Sequence, residues 1–266
     1  MTNKTAGVWV SEAPRPSVMQ GAEMLAMLVV KDLRVRYKSR FLGYVWAVAN
    51  PLAFCFVYYV AFGRILHVQV QNYVLFLLAG LFPWAWVANT ISQSAVAYRA
   101  NPGLIRKVRT WRAILPLSNA VQEMLHFFFA VPILLVAVVL TFHRGYLSWV
   151  VLIPLLAAVQ LAMIYPIGLA LAALNVVVRD IEYLVGIGLQ MLFFLTPIVY
   201  QDVPADLQRY LRVNPFAPLV AAWRAALLEG RLDGSAVLRC CVFAAVASLV
   251  AWRIHRSIEP RIGELL

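Results

Sequence analysis

Charge is scarce in this 266-residue chain: Asp, Glu, Lys and Arg together make up 13%, against 63% hydrophobic residues and a mean hydropathy of +0.78. A water-soluble domain of this length needs far more charge to cover its surface, so that class is excluded. Acids are the scarcer sign, 12 Asp+Glu against 23 Lys+Arg, for a formal charge of +11. On a soluble protein that excess would point to nucleic acid. Here most basic residues flank apolar runs, and the positive-inside bias of membrane proteins accounts for them, so no nucleic-acid partner is expected.

Reactive and metal-binding residues are also few. The three cysteines, Cys55, Cys240 and Cys241, form no C-x-x-C pair and sit in apolar stretches, where they read as small fillers. The four histidines, at 67, 126, 143 and 255, are scattered without H-E-x-x-H spacing, so no metal site is expected. No G-x-x-x-x-G-K-[ST] loop occurs, nor any Gly-Lys dipeptide, so nucleotide phosphates have no glycine-rich cradle. No G-x-S-x-G elbow is present either. The chain itself is therefore expected to hold no cofactor and to catalyse nothing.

Long apolar runs are what the sequence has in abundance, and a spanning helix needs roughly 20 such residues. The uncharged runs predict an all-α integral membrane fold with six spans, at about 41–63, 72–96, 113–142, 147–178, 183–201 and 235–253. The sixth is the shortest, with only Cys240–Trp252 free of charge, so Arg239 must reach back to the interface. Between spans five and six, Asn214-Pro215 and Pro218 interrupt an apolar stretch too short to cross. Broken backbone at membrane depth needs protein or water to satisfy it, so about 204–229 is expected to form short re-entrant or interfacial outer helices. Residues 1–22 carry no apolar signal-peptide core and read as a flexible cytoplasmic N-terminus, with 254–266 as a cytoplasmic tail. With both termini inside, the inner segments hold sixteen Lys+Arg and the outer ones seven, which fixes that orientation.

Two basic segments flank these spans. Residues 23–40 place Lys31, Arg34 and Lys38 on one helical face beside an apolar sector, with Arg36 and Arg40 among the apolar positions, as in a helix lying on the inner leaflet. The turn between spans two and three opens a short helix at Asn101-Pro102 and combines Leu104 and Ile105 with Arg106, Lys107 and Arg109. That helix suits lipid headgroups or a soluble partner equally well. Glu123 and His126, spaced i, i+3, are the one ionisable pair inside a span. An interfacial or interhelical pairing, with Arg112 or Lys107 near by, explains Glu123 more simply than a proton relay.

Five segments in order carry a family resemblance: VKDLRVRYKSRFLGYVWAVANP at 30–51, NPGLIRKVRTWRAILPL at 101–117, LNVVVRDI at 174–181, TPIVY at 196–200 and VNPFAPLVAAWR at 213–224. Together they resemble the permease subunit of ABC-2 type polysaccharide exporters, which move O-antigen, teichoic acid or capsule chains. Thr110-Trp111 stands where that family often has an aromatic–proline pair. The resemblance implies a homodimer in the bacterial inner membrane, with two soluble ATP-binding subunits carrying ATP and magnesium. Those subunits would grip Asn101, Leu104, Ile105, Arg106, Lys107, Arg109 and Trp111. It further implies a lipid-linked polysaccharide cargo and an inner-surface pair at Arg179 and Asp180. Tyr58, Tyr59, Phe62, Trp84, Phe193, Phe194 and Tyr200 are candidates to line a glycan channel, since flat sugar faces stack on aromatic rings; the same residue types also form interfacial belts. The alternative reading is an ion-coupled secondary transporter or glycan flippase that works without an ATPase.

Overall fold

The computed structural model describes residues 18–38, 45–65, 67, 70–107, 112–201 and 213–266. Among these the secondary structure is helical: α1 (Val18–Lys38), α2 (Val45–Tyr58) continued by a π-helical stretch (Tyr59–Ile65), α3 (Tyr73–Ala100), α4 (Pro102–Lys107), α5 (Ile114–Phe142), α6 (Trp149–Val177), α7 (Ile181–Leu195), α8 (Phe216–Glu229) and α9 (Gly234–Leu265). Four of them, α3, α5, α6 and α9, are long and apolar enough to cross a membrane. Leu52–Ile65 and Ile181–Leu195 are shorter apolar helical stretches. Where described, each expected span falls mainly on a helix, residues 41–44 of the first lying outside the described residues, but α7 stops at Leu195, six residues before the expected end at 201. Its cause is Pro197, which cannot continue the ladder and biases Thr196 to the extended backbone it adopts.

Helix α3 is the axis of the bundle. Of its apolar stretch 78% is buried, compared with 22% for α9, and it packs against α5, α6, α7 and α8. Without a strong hydrophobic drive between helices in lipid, small residues and interhelical hydrogen bonds must hold such a bundle. Both are present. Gly168 of α6 lies so close to α3 that a Cβ there would stand 2.7 Å from the Ser94 Cβ. Asn175 donates from α6 to the Ala95 carbonyl at 2.9 Å, and Trp86 donates from α3 to the Ala120 carbonyl of α5 at 3.1 Å.

Two apolar clusters result. The larger joins α3, α5, α6, α8 and the first half of α9. The smaller lies at the other end of the bundle, where Leu28 of α1, Tyr98 of α3, Ile105 of α4, Ile114 and Leu115 of α5, Val176 of α6 and Ile262 of α9 meet. Helix α9 starts where the Asp233 carboxylate accepts from the Ala236 N–H at 3.0 Å, a bond that holds this carboxyl below its usual range. It then runs 32 residues. The segment 254–266, read from sequence as a tail beyond the span, is helical to Leu265, because Ile254, Ile258 and Ile262 give it an apolar stripe to bury.

The close α3–α6 contact makes a prediction. Gly168→Leu overfills the seam and lowers the thermal stability of the detergent-solubilised protein, by about 1–3 kcal/mol on the usual scale of overpacking. Adding Ser94→Gly reopens the space and restores part of the loss, which a melt monitored by tryptophan fluorescence reads directly.

Candidate functional site

The chain leaves its helical path at Thr196, and the next residues are buried: Thr196, Ile198 and Val199 are each almost wholly inaccessible. Non-helical backbone in such a place must find hydrogen-bond partners inside the protein. Three side chains supply them. Arg224 of α8 donates to the Pro197 carbonyl at 2.5 Å and to the Ile198 carbonyl at 2.6 Å. Its Nε donates to the Phe76 carbonyl of α3 at 3.3 Å, and the guanidinium lies 3.4 Å over the Phe76 ring. Tyr73 of α3 donates its hydroxyl to the Val199 carbonyl at 2.6 Å. The Asn214 amide donates to the Leu195 carbonyl at 3.1 Å and to the Thr196 hydroxyl at 2.9 Å, while its oxygen accepts from the Phe216 N–H at 2.9 Å. Gly80 is required beside this knot, since a Cβ would stand 2.9 Å from an Arg224 nitrogen.

Two segments that look independent in sequence, TPIVY and VNPFAPLVAAWR, are therefore one unit. Asn214, Arg224 and Tyr73 received no role from sequence reasoning. A signal was available: Arg224 is a lone cation in an apolar stretch, and such residues seldom lie unpartnered. Deeper in α8, Trp223 donates to Gln160 of α6 at 2.7 Å and Gln160 donates to the Pro83 carbonyl at 3.0 Å. Phe127 packs edge-on against Trp223, with ring centroids 4.8 Å apart.

The expected aromatic channel residues gather beside this knot. Tyr58 stacks on Phe193 at 5.3 Å and tilts against Phe62 at 6.2 Å. Trp84 meets Phe193 at 6.0 Å and Phe216 at 5.8 Å, and Phe194 packs edge-on against Phe193. The Tyr200 hydroxyl donates to the Phe194 carbonyl at 2.9 Å. Tyr59 lies in the π-helical stretch, half-buried, with Arg64 over its ring at 5.9 Å. Trp84 and Phe193 differ from the other aromatics in exposure. Both are buried inside this chain, where their large rings fill the space between α3, α7 and α8, whereas Phe194 is exposed.

At the opposite end, α4 begins after Asn101, whose amide donates to the Ala97 carbonyl at 2.9 Å. Leu104 is half-buried and Ile105 buried in the smaller apolar cluster. Arg109, Trp111 and Arg40 lie outside the described residues, as do the side chains of Arg36, Lys38, Arg106 and Lys107. On α1, Lys31 and Arg34 are exposed beside the exposed apolar Met27 and Val30, and a cavity of about 350 Å³ lies among them. Arg179 and Asp180 are both exposed in the turn before α7, while Arg99 pairs with Glu182 at 3.2 Å.

Glu123 is buried and accepts from Asn89 at 3.1 Å and Gln93 at 2.7 Å, both on α3, with His126 Nδ1 at 3.4 Å. The expected interhelical pairing is there, made with amides of α3; Arg112 bonds instead to the Glu259 carbonyl, and the Lys107 side chain lies outside the described residues. At 1.5 Å per residue Glu123 stands about 16 Å along the chain from Arg112, which bonds elsewhere.

Residues 23–228 match the family described as "ABC-2 type transporter". Full-length relatives agree. The chain is 35% identical over 246 residues to an O-antigen export system permease protein RfbA of Klebsiella pneumoniae, covering 92% of this chain and 95% of that one. It is 31% identical to a protein of the same name from Myxococcus xanthus, covering 91% and 93%. It is also 25% identical to the polysialic acid transport protein KpsM of Escherichia coli, covering 87% and 92%.

The knot at Thr196 can be tested by Arg224→Met, which keeps the apolar stem and removes the donors. Two buried carbonyls lose partners at about 1–3 kcal/mol each, so a large drop in thermal stability is expected. Arg224→Lys restores a charge but not the two-pronged reach, and remains well below wild type in the same melt.

Proposed function

The chain belongs to the ABC-2 type transporter family, and from that premise we propose that it is the membrane permease of an ATP-driven exporter of lipid-linked polysaccharide, O-antigen being the favoured cargo. It is a multi-pass membrane protein, as its long apolar helices require. The observation that carries the proposal is the similarity along almost the whole chain to permeases named for O-antigen export, joined to the absence of any P-loop in this sequence. An ATP-driven permease with no phosphate-binding loop of its own draws its energy from another chain.

In this reading two copies of the chain form a channel, and two soluble ATPases dock beneath it. Six spans place both termini in the cytoplasm of a bacterium's inner membrane, with α2 and α7 as the shorter spans and α8 as a re-entrant helix on the outer side. The Lys/Arg distribution supports that orientation. Helix α1, with basic and apolar residues side by side on its exposed face, rests on the inner leaflet. Helix α4 receives the ATPase push, since its apolar residues are anchored in the bundle. A push does work only if the ATPase binds α4 differently in its two nucleotide states. Among the aromatics, Tyr58, Tyr59, Phe62, Phe194 and Tyr200 remain candidates to guide the glycan.

One observation favours a second reading, the ion-coupled carrier: the buried pair Glu123 and His126, with the amides of exposed Asn89 and half-buried Gln93 on the Glu123 carboxylate. The two are separated in a strain lacking the chromosomal gene. Plasmid-borne wild type restores surface glycan, and Arg106→Glu with Lys107→Glu abolishes it while membrane abundance holds. Glu123→Gln keeps export independent of external pH. If instead Glu123→Gln alone erases a pH dependence and the double variant exports normally, the carrier reading replaces this one.

A further inference from the structure

Resting on the export reading, we propose that the last part of α9, Ile254–Leu265, is a strut that positions the coupling segment, with Arg112 and Ile262 as its positioning residues. At 1.5 Å per residue the 32 residues of α9 extend about 48 Å, well beyond the roughly 30 Å of a hydrocarbon core. The surplus is not loose. Ile254, Ile258 and Ile262, four apart and hence on one face, join the apolar cluster that also holds Leu104 and Ile105 of α4 and Ile114 and Leu115 of α5. Ile262 is fully buried there.

A polar clasp fixes the register of this contact. Arg112, in the turn before α5, donates to the backbone carbonyl of Glu259. Gly263 leaves the space this requires, because a Cβ there would stand 3.3 Å from an Arg112 nitrogen. On the same face His255 lies under Tyr98 of α3, ring centroids 6.3 Å apart, with Glu259 Oε2 3.9 Å from its Nε2. The clasp uses a backbone acceptor, so only the arginine side chain and the bare glycine specify it.

The consequence is mechanical. Helix α4 has six residues, too few to hold a helix by themselves, so its place is set by what Leu104 and Ile105 pack upon. Part of that support is the strut. The strut is continuous with the membrane stretch of α9, which packs along α6 and α8. A displacement of α4 is thereby delivered to α9 and to the α8 knot as well as to α3 and α5. Removing the clasp leaves the ATPase free to bind and hydrolyse but passes less of its movement on.

The test uses the assembled permease–ATPase complex in proteoliposomes, carrying wild type, Arg112→Ala, Ile262→Ala, Arg112→Lys or Gly263→Ala. Arg112→Ala and Ile262→Ala are expected to copurify with the ATPase and to hydrolyse ATP. Glycan moved per ATP falls by at least about five-fold, the lower end of a typical coupling free energy. Arg112→Lys recovers most of it. Gly263→Ala, which disturbs only the guanidinium, gives a smaller loss in the same direction and serves if the alanine variants are poorly inserted. In parallel, hydrogen exchange of the amides at 103–107 accelerates in Arg112→Ala relative to wild type. Unchanged exchange there, or a glycan-to-ATP ratio within two-fold of wild type in every variant, overturns the strut. If wild type itself moves no glycan with ATP, the export reading fails, and the exchange measurement still decides the strut.

Discussion

A helix that stops inside a membrane bundle leaves carbonyls without partners, and the arrangement of this protein depends on how those carbonyls are satisfied. At Thr196 the chain turns extended, and the carbonyls of Leu195, Pro197, Ile198 and Val199 are met by Asn214, Arg224 and Tyr73. Three separate pieces of sequence thus close on one point. The requirement explains why α8 enters the bundle, since Arg224 must reach the break from that helix. It also explains why α3 carries a glycine at position 80 and lies at the centre of the fold.

From this knot the bundle is organised outward. Gln160 links α6 to α8 through Trp223 and to α3 through the Pro83 carbonyl. The small-residue seam of Gly168 and Ser94 draws α6 onto α3, and Asn175 pins its far end to Ala95. At the other end a second cluster gathers α1, α4, the start of α5 and the end of α9. The α3, α5 and α6 helices run between the two clusters. The two clusters are thereby joined by three long, mutually packed helices.

Helix placement was legible in the sequence because long uncharged runs leave little choice: residues 113–142 and 147–178 match α5 and α6 to within two residues at each end. A short helix after Asn214-Pro215 was legible from those two residues, and α8 starts there, with Pro218 tolerated in its first turn. Its partners were not legible, since nothing in TPIVY names an arginine 26 residues later as the donor for Ile198. Burial of Trp84 and Phe193 was hidden for a similar reason. An aromatic ring serves a channel wall, an interface and a core equally well, and only packing between distant helices decides. The helical continuation beyond residue 253 was missed because charges there suggested solvent, while the i, i+4 stripe of isoleucines carried the opposite signal.

In the proposed reading this chain is a conduit whose energy comes from another protein. The most direct measurement is movement of a lipid-linked glycan across vesicles holding this chain alone, or together with the P-loop ATPase expressed beside it. Transport is expected only with both chains and hydrolysable ATP, and none when an ion gradient replaces the nucleotide. Sustained transport by this chain alone, or transport driven by a proton gradient without the ATPase, would contradict that reading.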